Sequence, residues 1–183
     1  MAMPDIPAHA QSFEECAMPL FDSLYNFAMW LARNREEAED LVQETYAKAL
    51  KGFSSFQPGT NFRAWMFRIL RNAFLNTRTG LKMSQAAHLE LEMDSPLMPV
   101  AEHTPESILL RQIDHETLYR AIEELPVVFR EVLILRDVEE MNYQEIAEAL
   151  SIPMGTVMSR LSRARRLLRD ILQDRSRERK HVL

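Results

Sequence analysis

The stretch NYQEIAEALSIPMGTVMSRLSRARRLL, from Asn142 to Leu168, admits few folds. Its first half sets Ile146, Ala147 and Leu150 on one face of a helix. Ser151, Ile152 and Pro153 break that helix, and Val157, Leu161, Ala164 and Leu168 form a second apolar stripe. Asn142 followed by Glu145 is a helix-start signal. The small side chain of Ala147 lets the second helix cross closely over the first, as a helix-turn-helix requires. Ser151 stands at the turn, where glycine is the more usual residue. The outward face of the second helix is expected to carry Thr156, Ser159, Arg160, Arg163 and Arg166. Arginines and hydroxyls so placed suit a DNA major groove, where they meet guanine edges and phosphates. The competing reading is an arginine-rich helix that simply faces solvent.

The rest of the chain is also periodic at helical spacing, and no alternating run bounded by turn residues stands out as a hairpin. A first helix is expected over Glu14–Arg33, with Leu20, Leu24, Phe27, Ala28 and Leu31 on one face. Asn34 and Glu37 look like a capping box opening a helix to Gly52, which buries Ala38, Leu41, Val42, Tyr46 and Leu50. SSFQPGT is a loop by composition. Between Asn61 and Thr79, one side of a helix gathers Phe62, Trp65, Met66, Ile69, Leu70 and Ala73. The opposite side gathers Arg63, Phe67, Arg71, Phe74 and Arg78. Cations interleaved with rings suit single-stranded nucleic acid; the alternative is that Phe67 and Phe74 fill a second packing interface. Residues 80–103 lose the periodicity, and Thr104 with Pro105 resembles a fresh helix start. Helices then run to about Leu125 and from Pro126 to about Asp137. The expectation is an all-α chain of two small helical domains, an N-terminal helical bundle at 1–80 and a helix-turn-helix domain at 104–183, joined by a linker at 81–103.

Charge distribution sharpens this reading. The 183 residues carry a net charge of −5. Residues 51–82 nevertheless hold six bases and no acid, and residues 154–183 hold nine bases against three acids. The segments 1–50 and 90–153 are acidic, with nine acids against three bases and fifteen against four. Two basic blocks alternating with two acidic ones suggest two patches that meet a polyanion.

Three motifs together resemble the extracytoplasmic-function group of bacterial sigma factors, in the sigma-70 superfamily. They are D-L-V-Q-E-T from Asp40, R-A-W-x-x-R-I-x-x-N from Arg63 and G-T-V-x-S-R-L-x-R-A-R from Gly155. The resemblance covers nearly the whole chain and includes the order of the two domains. It implies that Asp40, Leu41, Gln43 and Glu44 bind the polymerase. It further implies that the Ser54–Thr60 loop, with Arg63, Arg68, Arg71 and Asn72, captures the melted −10 element. The −35 element would be read by Arg136, Thr156, Met158, Ser159, Arg160, Ser162, Arg163 and Arg166. Many members carry arginine at the position of Met158 and an aromatic residue at that of Ser162.

Core RNA polymerase, promoter DNA and an anti-sigma factor are the implied partners, with no cofactor, no metal and no small-molecule substrate. A one-component helix-turn-helix regulator would share the C-terminal motif but leaves the acid-free helix at 61–79 unexplained. A sigma-like decoy that binds an anti-sigma factor predicts eroded arginines in the second helix, and they are intact. An enzyme is the weakest alternative, since His9, His88, His103, His115 and His181 are scattered and no glycine-rich phosphate loop is present. The single cysteine, Cys16, excludes an internal disulfide framework. The opening MAMPDIPAHAQ lacks the order of a signal peptide, and charge interrupts every apolar run, so a cytoplasmic location is expected.

Overall fold

The computed structural model describes residues 12–57, 59–78 and 115–181. The expected linker at 81–103 and the Thr104–Pro105 helix start lie outside these residues. Among the described residues every regular element is a helix.

The N-terminal bundle begins with α1 (Phe13–Ala17), opened by a reciprocal capping box between Ser12 and Glu15. The single helix expected over Glu14–Arg33 is divided. Pro19 sits in a 3₁₀ turn at Met18–Leu20, where its missing N–H interrupts the α ladder. Then α2 (Phe21–Ala32) completes the run and ends at Arg33, in a left-handed conformation with φ 58°. Asn34 caps α3 (Arg35–Gly52) by accepting the Glu37 N–H at 3.0 Å. Only half of the expected box forms here, because the Glu37 carboxylate pairs with Arg78 across the bundle.

Asn61 caps α4 (Phe62–Arg78) through the Ala64 N–H at 2.9 Å. Leu24, Phe27, Leu31, Leu41, Val42, Met66, Phe67, Leu70 and Phe74 fill the space between α2, α3 and α4. On α3, Thr45 and Ala49 are buried, whereas Leu50, expected in the core, is 58% exposed. The Thr45 hydroxyl reaches back to the Leu41 carbonyl at 2.6 Å, which lets a polar residue sit inside.

The C-terminal domain comprises α5 (His115–Glu124), α6 (Val127–Leu133), α7 (Tyr143–Leu150) and α8 (Met154–His181). The helix expected at Pro126–Asp137 is present as α6 continued by one wide π turn, Ile134–Val138. Leu125, Phe129, Val132, Leu135, Met141, Ile146, Leu150, Val157 and Leu161 form the core. Arg130, only 2% exposed, donates to the carbonyls of Glu123 and Leu125 at 2.9 and 3.5 Å. It thereby satisfies the end of α5, where cations are favoured. Burial, reinforced by nearby Arg33, pulls its pKa down to about 10.

Between α7 and α8, Ser151 adopts φ 53° and ψ 45°. An L side chain is strained in this left-handed region and glycine is not. Ser151→Gly is therefore expected to stabilise the domain by about 0.5–1 kcal/mol, read as a higher midpoint in thermal unfolding.

The two domains pack directly on one another. Helix α4 lies along α7, α2 touches α6, and Trp30 of α2 meets Tyr119 of α5 with ring centroids 4.4 Å apart. Their buried residues merge into one continuous apolar cluster.

Candidate nucleic-acid interface

Helix α4 has little surface to spare. Ala64, Met66, Phe67, Leu70, Ala73 and Phe74 are buried, so both rings of the supposed stacking face belong to the core. Phe67 packs against Phe27 at 5.3 Å between centroids. Arg63 and Arg78 lie over the Phe67 and Phe74 rings, at 5.6 and 4.8 Å. The interleaving of cations and rings is therefore a packing pattern with cation–π contacts at its edge. Helix α4 turns outward Arg68 and Asn72, flanked by half-buried Trp65 and Ile69, and, in its last turn, Leu75, Asn76 and Thr77. Asn72, implicated by the family resemblance, is thus exposed.

Arg63 and Arg71 point the other way, into the C-terminal domain. Arg63 donates to the Glu139 carboxylate at 3.0 Å and to its carbonyl at 2.8 Å. Arg71 grips both Glu131 oxygens, at 2.7 and 3.0 Å, and the Leu150 carbonyl at 3.0 Å. Glu131 is 1% exposed and also receives Arg160, at 3.4 Å. One buried carboxylate thus holds an arginine from each domain. Sequence reasoning missed Glu131, although an acid inside the apolar run VVFREVLIL is the kind of signal that marks a buried ion pair. Glu139 and Glu145 were missed as well, the latter because its helix-capping role was sufficient explanation. Asn61 bonds Glu145 across the domains at 2.9 Å.

The turn between α7 and α8 builds the expected helix-turn-helix. Asn142 and Glu145 cap each other reciprocally at the start of α7. Ile146, Ala147 and Leu150 meet Val157 and Leu161 in the core, as their spacing required. The outward face of α8, however, differs from the expected one. Arg160 is only 6% exposed and turns toward Glu131, which corrects its placement on the solvent side. The outer face runs through Met154, Met158, Arg166 and Arg169, with Ser162 and Arg163 half-buried beside it. The face is rotated because α8 packs on α6 as well as on α7, which claims the Arg160 side. Thr156 and Ser159 are half-buried, and the Ser159 hydroxyl donates to the Thr156 carbonyl at 3.0 Å. Arg136 donates to the Met141 carbonyl at 2.9 Å and lies 5.2 Å from the Tyr143 ring centroid. It is half-buried beside the start of α7.

On α3, Asp40 and Gln43 are exposed and Glu44 is half-buried and paired with Lys48. Leu41 is 4% exposed and lies in the core, so it fixes the helix and offers no contact surface. Loop residues Ser54, Ser55, Gln57, Gly59 and Thr60 are exposed, and Phe56 packs against Trp65 at 5.1 Å. That loop, α4 and α7 enclose a crevice of about 730 Å³. Among the described residues no cluster of histidine, cysteine and carboxylates could hold a metal ion, and no helix is long and apolar enough to cross a membrane.

Two small helical domains, the second built around a helix-turn-helix with Arg166 and Arg169 on its outer face, are the architecture of a class of DNA-binding protein. Residues 20–82 match the family described as Sigma-70 region 2, and residues 115–168 match Sigma-70, region 4. The chain belongs to the sigma-70 family, in its extracytoplasmic-function group. It is 35% identical to the ECF RNA polymerase sigma factor SigE of Mycolicibacterium smegmatis, over 90% of this chain and 66% of that protein. It is 31% identical to the RNA polymerase sigma factor YlaC of Bacillus subtilis, over 93% of this chain and 98% of that protein. Among solved structures, the sigma factor RpoE of Bartonella quintana, in complex with the anti-sigma factor NepR, superposes with a TM-score of 0.65. It shares 31% identity, over 88% of this chain and 96% of that one.

Proposed function

We propose that this sigma factor is the promoter-specificity subunit of RNA polymerase. It docks through the exposed face of α3, captures the melted −10 element with the Ser54–Thr60 loop and α4, and reads the −35 element with α8. The reading is carried by the coexistence, in one chain, of region 2 and region 4 with arginine-bearing faces on an otherwise acidic molecule. A net negative charge disfavours indiscriminate binding to DNA, while two local basic surfaces add their affinities once polymerase sets their spacing. Chemistry resides in the polymerase, so the chain is not itself an enzyme. An anti-sigma factor is the expected inhibitory partner, by analogy with the Bartonella complex.

Run-off transcription tests this directly. Core polymerase with this chain is expected to initiate at a two-element promoter selected from a genomic fragment library, and the chain alone to bind duplex DNA weakly. Tight binding of the isolated chain to one palindromic site would favour a one-component regulator. Docking has its own test: Asp40→Arg combined with Glu44→Lys is expected to abolish co-purification with core polymerase while leaving the helix content unchanged. Undiminished affinity would remove α3 from the interface.

Within α8, Met158 is 41% exposed. A thioether offers apolar contact and no donor, which suits a thymine methyl rather than a guanine edge. Met158→Arg is expected to shift the preferred −35 base opposite this residue from thymine to guanine, by about 1–3 kcal/mol of discrimination. Transcription from single-base promoter variants measures the change.

A further inference from the structure

The Ser54–Thr60 loop is tied to the bundle by rings rather than by hydrogen bonds. The Ser55 and Thr60 hydroxyls donate to the Gly52 and Gln57 carbonyls, at 2.7 and 2.8 Å. The Phe56 and Thr60 N–H groups donate to the Phe53 and Gln57 carbonyls, at 3.0 and 3.2 Å. These bonds are local, so they shape the loop without fixing it to anything else. Phe53 and Phe56 supply the attachment. Phe56 meets Phe62 and Trp65 at the start of α4, with centroids 5.2 and 5.1 Å apart, and Phe53 meets Phe62 at 6.0 Å. Phe13 of α1 meets the same Phe53 ring edge-on at 5.5 Å. It also touches Phe62 at 6.4 Å and Tyr46 of α3 at 6.3 Å, again edge-on, the favoured geometry for ring pairs. Among the described residues, Phe13 is the one ring outside 53–65 that reaches these four.

Helix α1 is itself anchored. Ser12 and Glu15 cap its start, Ala17 is fully buried, and the Tyr46 hydroxyl donates to the Ala17 carbonyl at 2.7 Å. A helix this short has little stability of its own, so these contacts hold it in place. We propose that α1 is a strut for the −10 capture loop, and that Phe13 is the positioning residue that sets where Phe56 and the exposed loop residues stand relative to α4. The inference rests on the promoter-reading function proposed above and adds to it a residue that lies outside the nucleic-acid face. Phe13 is half-buried and acts through Phe53 and Phe62, not on the strand itself. Capture of an unpaired base depends on rings and polar groups held at fixed distances, and a small misplacement forfeits much of the gain. A loop freed from its strut would therefore lose selectivity for the −10 element. Reading of the −35 element by α8, in the other domain, would be untouched.

The test compares the full chain with its Phe13→Ala and Phe13→Tyr variants. Hydrogen exchange of the free proteins, followed by mass spectrometry, reads the loop directly. The Phe56 and Thr60 amides are expected to exchange about tenfold faster in Phe13→Ala, while those in the middle of α2, α3 and α4 keep their rates. With core polymerase, run-off transcription is measured on single-base variants of a promoter selected from a genomic fragment library. Phe13→Ala is expected to co-purify with polymerase as before and to keep its discrimination at −35. Its discrimination among −10 bases should fall about tenfold. Phe13→Tyr, which keeps the ring, should restore both the exchange rates and the −10 selectivity. Unchanged loop exchange in Phe13→Ala would overturn the strut, as would faster exchange spread over the whole bundle or an equal loss of selectivity at −10 and −35. Faster loop exchange, alongside an unsubstituted chain that discriminates no −10 base, would leave the strut standing and overturn instead the loop's promoter-reading role.

Discussion

Glu131→Ala is expected to destabilise the protein by about 3–5 kcal/mol, enough to leave the C-terminal domain substantially unfolded near physiological temperature. The reason is the asymmetry of a buried ion cluster. Glu131 is 1% exposed and neutralises Arg71 and Arg160, whose side chains are themselves only 15% and 7% exposed. Removing the carboxylate takes away the charge that two guanidinium groups share in a poorly solvated site. The cluster as a whole contributes much less than the cost of breaking it, because bringing the charges out of water offsets most of their attraction. The triple variant Glu131→Leu, Arg71→Met and Arg160→Met, which removes all three charges, should therefore recover much of the stability lost by Glu131→Ala. Equilibrium urea unfolding of the three proteins checks this. A harmless Glu131→Ala would mean that the cluster is open to water.

The second large effect concerns Phe67. Phe67→Ala is expected to cost about 3–5 kcal/mol of N-terminal domain stability. At roughly 4–8 °C per kcal/mol for a domain of this size, its melting midpoint should fall by well over about 10 °C. Phe67 is completely buried and packed against Phe27, so its loss opens a cavity between α2 and α4. Arg68→Ala, one residue along, removes an exposed cation that touches none of this core. It should leave the melting curve nearly unchanged and weaken transcription. The paired variants separate packing from promoter contact within one helical turn. A stable Phe67→Ala protein defective in promoter melting would restore the ring to the nucleic-acid face.

How far the sequence led depended on what each residue touches. Helices with a single buried side were legible: α7 and the start of α8 follow from the stripe Ile146, Ala147, Leu150, Val157 and Leu161. The Asn142–Glu145 cap was legible because it is local. Helices packed on two sides were not. On α4, Phe67 and Phe74 face the bundle, the packing alternative that the pattern left open. Arg63 and Arg71 face the other domain, a burial that helical projection cannot distinguish from exposure. The same fault moved Arg160 outward, since its partner Glu131 lies twenty-nine positions away in sequence. Pro19 was visible from the start, yet its effect on the first helix was overlooked. Within the family motifs, Leu41 lies in the core and Arg160 in a buried ion pair.

The contact between Trp30 and Tyr119 has a spectroscopic consequence. The chain has two tryptophans. Trp30 stacks against a ring of the opposite domain, and Trp65 lines the crevice beneath α7. Both indoles therefore sit where the domains part, and no tryptophan lies elsewhere. Separation of the domains would hydrate both at once, moving their emission to longer wavelength and opening them to quenching by iodide or acrylamide. The protein thus carries an intrinsic optical gauge of its own domain arrangement, readable in stopped flow without any label.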